Sequence, residues 1–246
     1  MFPWIIAHRG AMAEAPENTR SAFELALNFP IDGIEFDVQL SRDGVPVVFH
    51  DSNLKKINGS RRAISSYRYE ALCQMDLGKW FDSAFSGERL LSLEEVLLEY
   101  GAKTRLLVEI KSDGSRENQE KDQSLSHMVP DMIKRIVPET FFAQILILSF
   151  DANLISAAMQ RAPDLKYGWN LKTAKLTISD FVGNLCSVSL PIRKITSRFV
   201  DYCHTNGLIA MTYACNTKKQ LDKALAMGVD VIMTDAPGRI CSYLDR

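Results

Sequence analysis

Gly33-Ile34-Glu35-Phe36-Asp37-Val38, followed by Ser41-Arg42-Asp43-Gly44-Val45-Pro46-Val47-Val48-Phe49-His50-Asp51, is the stretch that decides the fold. Residues 33–38 read as a strand. Because strand side chains alternate with a period of two, Glu35 and Asp37 fall on one face of an otherwise apolar element. Only Ser41 to Val45 separate this strand from the next extended run, Pro46–His50. A parallel crossover needs a dozen or more residues, so the chain must reverse here. Asp43-Gly44 is a strong two-residue hairpin signal. Centred there, the turn pairs Arg42 with Val45, Val38 with Phe49, and Asp37 with His50. Directly paired residues share a face, so this register predicts that Glu35, Asp37 and His50 converge.

Working outward, eight strands are predicted, at 4–7, 33–38, 105–110, 144–149, 166–170, 186–190, 208–213 and 230–234. Helical patterns at 19–28, 93–100, 126–136, 153–161, 194–205 and 217–227 alternate with them. Ser92-Leu93-Glu94-Glu95 has the form of a capping box, and Gly207 and Gly228 stand where helix C-caps belong. Eight strands with intervening helices read as an α/β fold of the (β/α)₈ TIM-barrel type, one domain over 1–246, with Pro46–His50 as an extra hairpin strand. An open doubly wound sheet is the alternative, weakened because no Gly-rich phosphate loop follows strand 4–7. Residues 51–91, with Trp80, Phe81 and Phe85 among polar neighbours, fit no barrel unit and are expected to form an insertion over one barrel face. Residues 112–124 read as a mobile polar loop, and 171–185 hold no clear helix.

The 246 residues carry 29 Lys+Arg against 30 Asp+Glu. This balance offers no basic field for nucleic acid. No run of about 18 apolar residues could span a membrane, and Met1–Arg9 lacks the basic start of a signal peptide. Cys73, Cys186, Cys203, Cys215 and Cys241 are scattered, odd in number and without metal-ligand spacing. Free thiols in a reducing cytoplasm are expected.

Charged residues at strand ends point to chemistry. His8-Arg9-Gly10 closes the first strand, at the end where barrel enzymes place their active sites, although a surface turn would use the same triplet. Glu109 and Lys111 share one face of strand 105–110, while Val108 and Ile110 take the other. Buried carboxylates are costly unless paired or bound to a metal. A structural ion pair of Glu109 with Arg9 or Lys111 is one solution. A divalent cation with oxygen ligands, Mg²⁺ or Ca²⁺, held by Glu35, Asp37 and Glu109 is the other. Zinc is disfavoured, since no histidine or cysteine pair has its spacing. Arg9 and Lys111 beside a metal would make a phosphate site, and His8 and His50 could move protons near neutral pH. His127 and His204 fall on helix patterns and read as structural. In Pro16-Glu17-Asn18-Thr19, Asn18 or Thr19 is a good N-cap. Asn18 is also a candidate to touch substrate or support the site, and Glu17 a lesser one.

Taken in order, His8-Arg9-Gly10, Pro16-Glu17-Asn18-Thr19, Glu35-Phe36-Asp37-Val38, Asp43 to Asp51, Glu109-Ile110-Lys111, Ser149-Phe150 and Thr234-Asp235-Ala236-Pro237 resemble the glycerophosphodiester phosphodiesterase family across nearly the whole chain. The resemblance implies a β/α barrel with an insertion after His50-Asp51. It implies one divalent cation on Glu35, Asp37 and Glu109, acid–base catalysis by His8 and His50, and phosphate contacts from Arg9 and Lys111. The implied substrates are small glycerophosphodiesters such as glycerophosphocholine or glycerophosphoethanolamine, cleaved to glycerol 3-phosphate and an alcohol. Tyr213 stands where the family commonly has a tryptophan at the substrate mouth, which leaves the alcohol preference open. Two other classes stay open as well. One is a phospholipase C- or D-like barrel lyase that ends at a cyclic phosphate. The other is a barrel that binds a phosphate ligand without turnover.

Overall fold

The computed structural model describes residues 3–112, 119–173 and 185–245. Eight parallel strands close into a barrel: β1 (Trp4–His8), β2 (Gly33–Leu40), β4 (Arg105–Ile110), β5 (Ile145–Ser149), β6 (Lys166–Asn170), β7 (Leu185–Pro191), β8 (Ile209–Tyr213) and β9 (Val231–Thr234). The strands neighbour one another in the order β1-β9-β8-β7-β6-β5-β4-β2, and β1–β2 pairing closes the ring. The open-sheet alternative is thereby excluded. Helices α1 (Arg20–Leu27), α4 (Leu93–Tyr100), α5 (Gln119–Ile136), α6 (Ala152–Arg161), α7 (Ser197–Thr205), α8 (Lys218–Met227) and α9 (Pro237–Tyr243) lie between and after the strands.

The period-two pattern sorts each strand. Ile34, Phe36 and Val38 leave β2 outward into a core shared with Leu106, Val108 and Ile110 of β4 and with Val96, Leu97 and Val129 of the helices. Inward residues Ile6, Leu107, Leu148, Met211, Val231 and Met233 fill the barrel itself. Further along the same inward faces come His8, Glu35, Asp37 and Glu109. Hydrophobic filling thus ends where the charged residues begin, toward the C-terminal ends of the strands.

Local chemistry sets the helix ends. Thr19 caps α1, its hydroxyl accepting from the Ala22 N–H at 3.3 Å, so the cap is Thr19 rather than Asn18. Ser92 and Glu95 form the reciprocal capping box that opens α4. Gly228 caps α8 with φ +72°. Gly207, φ +69°, follows the α7 cap Asn206 by one residue. Helix α5 begins at Gln119, seven residues before the expected 126, with Pro130 inside it. That shortens the polar loop expected at 112–124, of which 113–118 lie outside the described residues. Most of the ambiguous stretch 171–185, namely 174–184, lies outside them too.

The hairpin is where the structure corrects the sequence reading. Strand β3 (Pro46–Val48) runs antiparallel to β2, but Val38 pairs with Val48, Gln39 with Val47 and Leu40 with Pro46. This is one residue out from the expected register. The loop has three residues, Arg42, Asp43 and Gly44, closed by the Ser41 N–H donating to Val45 O at 3.0 Å. Gly44 occupies the left-handed region at φ +81°, the form such three-residue loops take. Side chains favour the longer loop: Ser41 Oγ donates to Asp43 Oδ1 at 2.8 Å and accepts from the Val45 N–H at 2.9 Å. Asp37 therefore faces Phe49, whose N–H donates to Asp37 O at 3.0 Å. His50 lies beyond the end of the strand.

Residues 51–91 form the small insertion over the barrel mouth. It holds α2 (Lys55–Asn58), α3 (Tyr69–Cys73) and two 3₁₀ turns. Its own small core joins Leu54, Ile64, Leu72, Leu77 and Leu90 to Val47 and Phe49 of the hairpin. Phe49 thus anchors the insertion while its chain neighbour His50 is left at the mouth.

Candidate active site

Strand register assembles three carboxylates. His8 and Glu35 are paired positions on β1 and β2, and Asp37 and Glu109 are paired positions on β2 and β4. One oxygen from each of Glu35, Asp37 and Glu109 lies within 4.8 Å of the others, and all three residues are buried. Lys111 Nζ is 2.8 Å from Asp37 Oδ1 and 2.5 Å from Glu109 Oε1. Arg9 Nε is 3.2 Å from Asp37 Oδ2.

The acids divide their oxygens in the same way. The Arg9 backbone N–H donates to Glu35 Oε2 at 3.1 Å, Asn18 Nδ2 to Asp37 Oδ2 at 2.9 Å, and Asn170 Nδ2 to Glu109 Oε2 at 2.8 Å. Asp37 Oδ1 and Glu109 Oε1 are buried and accept no well-aligned hydrogen bond, Lys111 standing at ion-pair distance from both. Each acid has one oxygen held by an N–H donor, and the free oxygens of Asp37 and Glu109 meet only the Lys111 ammonium, a carboxylate set that fits an oxygen-coordinated hard cation such as Mg²⁺ or Ca²⁺.

The electrostatics point the same way. Burial, and after it the charges of Asp37 and Glu109, push Glu35 well above the usual carboxylate range. Burial and Asp37 also raise Glu109, against the pull of Lys111. Burial would raise Asp37 too, but the Lys111 ammonium and the Arg9 guanidinium outweigh it and hold its carboxyl well below that range. Lys111 and Arg9 stay firmly protonated: burial opposes their charge, and the surrounding carboxylates overcome it. Three acids share two fixed cations here, and Glu35 is the one left wanting a positive partner.

Two imidazoles flank the cluster. His8 Nδ1 donates to Asp235 Oδ1 at 2.6 Å, and its Nε2 lies 3.8 Å from Glu35 Oε2. Burial opposes ionisation of Asp235, yet the bond from His8 and a further one from Asn216 Nδ2 at 2.5 Å hold its carboxyl below the ordinary value. An ionised carboxylate only accepts, so Nδ1 of His8 carries a proton and Nε2 lies on the side of the acids. His50 repeats the arrangement. Its Nδ1 meets Asp51 Oδ1 at 2.9 Å, and that bond brings Asp51 down to about 2. Although the hairpin register is shifted, His50 lines a cavity together with Lys111.

Backbone strain gathers at this mouth. Arg9 and Asn18 hold left-handed conformations, φ +56° and +59°, which non-glycine residues adopt at a cost. Gly10, φ +77°, lies so close to α1 that a Cβ there would stand 2.6 Å from the Ala22 carbonyl. Asn18 is buried, and its amide grips Asp37, with Oδ1 accepting from the Asp37 N–H at 3.4 Å. The side chain thereby braces Asp37. Tyr213 packs edge-on to Phe150 with ring centroids 6.0 Å apart, and its hydroxyl donates to Leu171 O at 2.7 Å. Burial and the Glu109 charge push that phenol up. His204 pairs with Asp230 at 2.9 Å, away from the acid cluster.

Sequence reasoning assigned no part to Asp235, Asn216, Asn170 or Asp51. Asp235 directly follows β9 and Asn170 closes β6, so position at a strand's C-terminal end was the available signal. Asn170 is braced in turn by Ser189 Oγ, which donates to its Oδ1 at 2.5 Å.

A closed β/α barrel with acids, basic side chains and imidazoles gathered at one mouth has the form of a barrel enzyme whose buried acidic cluster could hold a metal ion. Residues 8–239 match the model of the glycerophosphoryl diester phosphodiesterase family. Bacillus subtilis YhdW is 32% identical over 95% of both chains. The glycerophosphodiester phosphodiesterase of Caldanaerobacter subterraneus subsp. tengcongensis is 30% identical over 98% of both. The solved structure of an Oleispira antarctica phosphodiesterase in complex with its product sn-glycerol-3-phosphate superposes with a TM-score of 0.87 at 25% identity, covering 99% of this chain and 97% of that one. The chain belongs to the glycerophosphoryl diester phosphodiesterase family, and it is a phosphoric diester hydrolase.

Proposed function

We propose that this protein hydrolyses small glycerophosphodiesters, releasing glycerol 3-phosphate and the alcohol, with Glu35, Asp37 and Glu109 holding one divalent cation. The observation that carries the reading is the convergence of those three buried carboxylates, within 4.8 Å, between Lys111, Arg9, His8 and His50. The Oleispira relative, whose product complex holds glycerol 3-phosphate, supports that product here.

The bound cation would act as a Lewis acid toward a non-bridging phosphate oxygen. Lys111 and Arg9 add fixed positive charge where the phosphorane-like transition state accumulates negative charge. Both are already held in place by carboxylates, so little reorganisation accompanies the reaction. His8 and His50 each present one ring nitrogen to the mouth while Asp235 or Asp51 holds the other. One imidazole takes the proton from the attacking oxygen, and the other gives a proton to the departing alcohol oxygen. Asn18 and Asn170 keep the acids turned toward the cation. Tyr213, packed edge-on to Phe150, would offer an aromatic surface to the substrate. Among the described residues no helix is long and apolar enough to cross a membrane.

The test is glycerol 3-phosphate release from a panel of glycerophosphodiesters with Mg²⁺ or Ca²⁺ supplied. Release that EDTA abolishes supports the reading. A cyclic phosphate that accumulates as the end product, or tight binding without turnover, would replace it with the lyase or the sensor.

A further inference from the structure

The insertion places a lysine where a cationic head group would otherwise find its partners. Lys56 Nζ stands 4.5 Å from the centroid of the Trp80 ring. It pairs with Glu17 Oε1 at 2.9 Å and Asp51 Oδ2 at 3.3 Å. An aromatic face with two carboxylates is the chemistry that recognises a quaternary or primary ammonium. The ring is fixed, since Trp80 Nε1 donates to Leu77 O at 2.7 Å and Phe81 packs edge-on at 5.6 Å. Both carboxylates are already committed: Glu17 also takes Arg9 at 3.4 Å, and Asp51 takes His50 at 2.9 Å.

Beside His50 opens a cavity of about 650 Å³. Lys55, Lys56 and Lys111 line it, with Ser52 and Asn53. Among the described residues Asp51 is the single carboxylate that lines it, and no Phe, Tyr or Trp side chain is among them. Among the described residues, an ammonium leaving group entering here would meet three lysines against one carboxylate and no Phe, Tyr or Trp face. A hydroxylated or anionic group would meet ammonium, hydroxyl and amide donors.

We propose that Lys56 determines head-group specificity: its ammonium fills the Trp80–Glu17–Asp51 box and turns the enzyme toward neutral polyol or anionic leaving alcohols and away from choline and ethanolamine. The inference rests on the proposed diesterase activity and deepens it. One unit charge about 6 Å from a head-group ammonium, at an effective dielectric constant of about 40, is worth roughly tenfold in relative rate.

The experiment compares kcat/KM for glycerophosphoglycerol with kcat/KM for glycerophosphocholine and glycerophosphoethanolamine in the wild type, Lys56→Ala and Lys56→Arg. The ratio within each protein cancels any uniform loss from a loosened Asp51. The wild type favours the glycerol ester, and its preference shrinks as salt is raised. Lys56→Ala shifts the ratio toward the cationic esters by about tenfold, while Lys56→Arg leaves it within about twofold. An unchanged ratio in Lys56→Ala, or a wild-type preference for choline, overturns the specificity inference and leaves the activity intact. No glycerol 3-phosphate from any ester overturns the activity itself.

Discussion

Replacing Asn170 with alanine removes one donor from a buried acid without touching the mouth directly. Asn170 is 4% exposed, donates to Glu109 Oε2 at 2.8 Å and accepts from Ser189 Oγ at 2.5 Å. A hydrogen bond to a charged group is worth about 1.5–3 kcal/mol. Its loss leaves Glu109 free to rotate and, because burial and Asp37 already raise its pKa, more inclined to hold a proton. Proton and cation compete for the same carboxylate, so the cation pays for both effects. Partners of metal ligands in other proteins carry about 10–100-fold in metal affinity, the same range as the hydrogen-bond energy converted to a binding constant. Isothermal titration with Mg²⁺ and with Ca²⁺ at pH 7.5 therefore shows binding weakened by about 10–100-fold in Asn170→Ala. Asn170→Asp, which sets a like charge against Glu109, weakens it further. Melting in chelator establishes that the variants are folded. Affinity within about twofold of wild type in a folded Asn170→Ala protein would refute the idea that each acid is clamped through one oxygen to present the other.

Other outcomes follow from the same geometry. His8→Ala and His50→Ala each lower kcat by about 10²–10⁴ in steady-state assays, and near-native turnover would remove that histidine from the mechanism. Glu35 has its folded pKa above its ordinary value of 4.5, so as pH rises through the range above 4.5 its enforced ionisation destabilises the metal-free protein. Asp37 has the opposite sign: its stabilising contribution is present above its ordinary 3.8 and is lost only as pH falls below that. The gain in Tm from saturating cation is therefore larger at pH 8 than at pH 5.5, and a gain that shrinks with rising pH would contradict the assignment of Glu35. Gly10→Ala, forced into the left-handed region against the Ala22 carbonyl, destabilises by at least about 1–3 kcal/mol in denaturant titration.

The barrel was legible because its strands carry their own signature. Phe36 and Val108 alternate with Glu35, Asp37 and Glu109, and that alternation alone separates the helix-facing side from the mouth. The hairpin was legible in kind and misread in register. Asp43-Gly44 suits a two-residue turn, but the Ser41 hydroxyl, bonded to Asp43 and to the Val45 N–H, stabilises the three-residue form. His50 still reaches the mouth, because Phe49 beside it is drawn into the insertion core. The supporting residues were not legible. Asp235 finds His8 across 227 positions of sequence and Asn170 finds Glu109 across 61, so only closure of the ring brings them together. Lys56 is one of several lysines on a polar stretch, and nothing in its neighbours announces the ring of Trp80.

The central claim is that one cation, held by Glu35, Asp37 and Glu109, is indispensable to the reaction. Strip the protein with chelator, then follow glycerol 3-phosphate release while Mg²⁺ or Ca²⁺ is titrated back against wild type and Glu109→Gln. The account predicts no turnover in the stripped protein, recovery that saturates at one ion bound per chain, and neither binding nor recovery in Glu109→Gln. Full turnover by the stripped wild type, or recovery in Glu109→Gln equal to wild type, would contradict it.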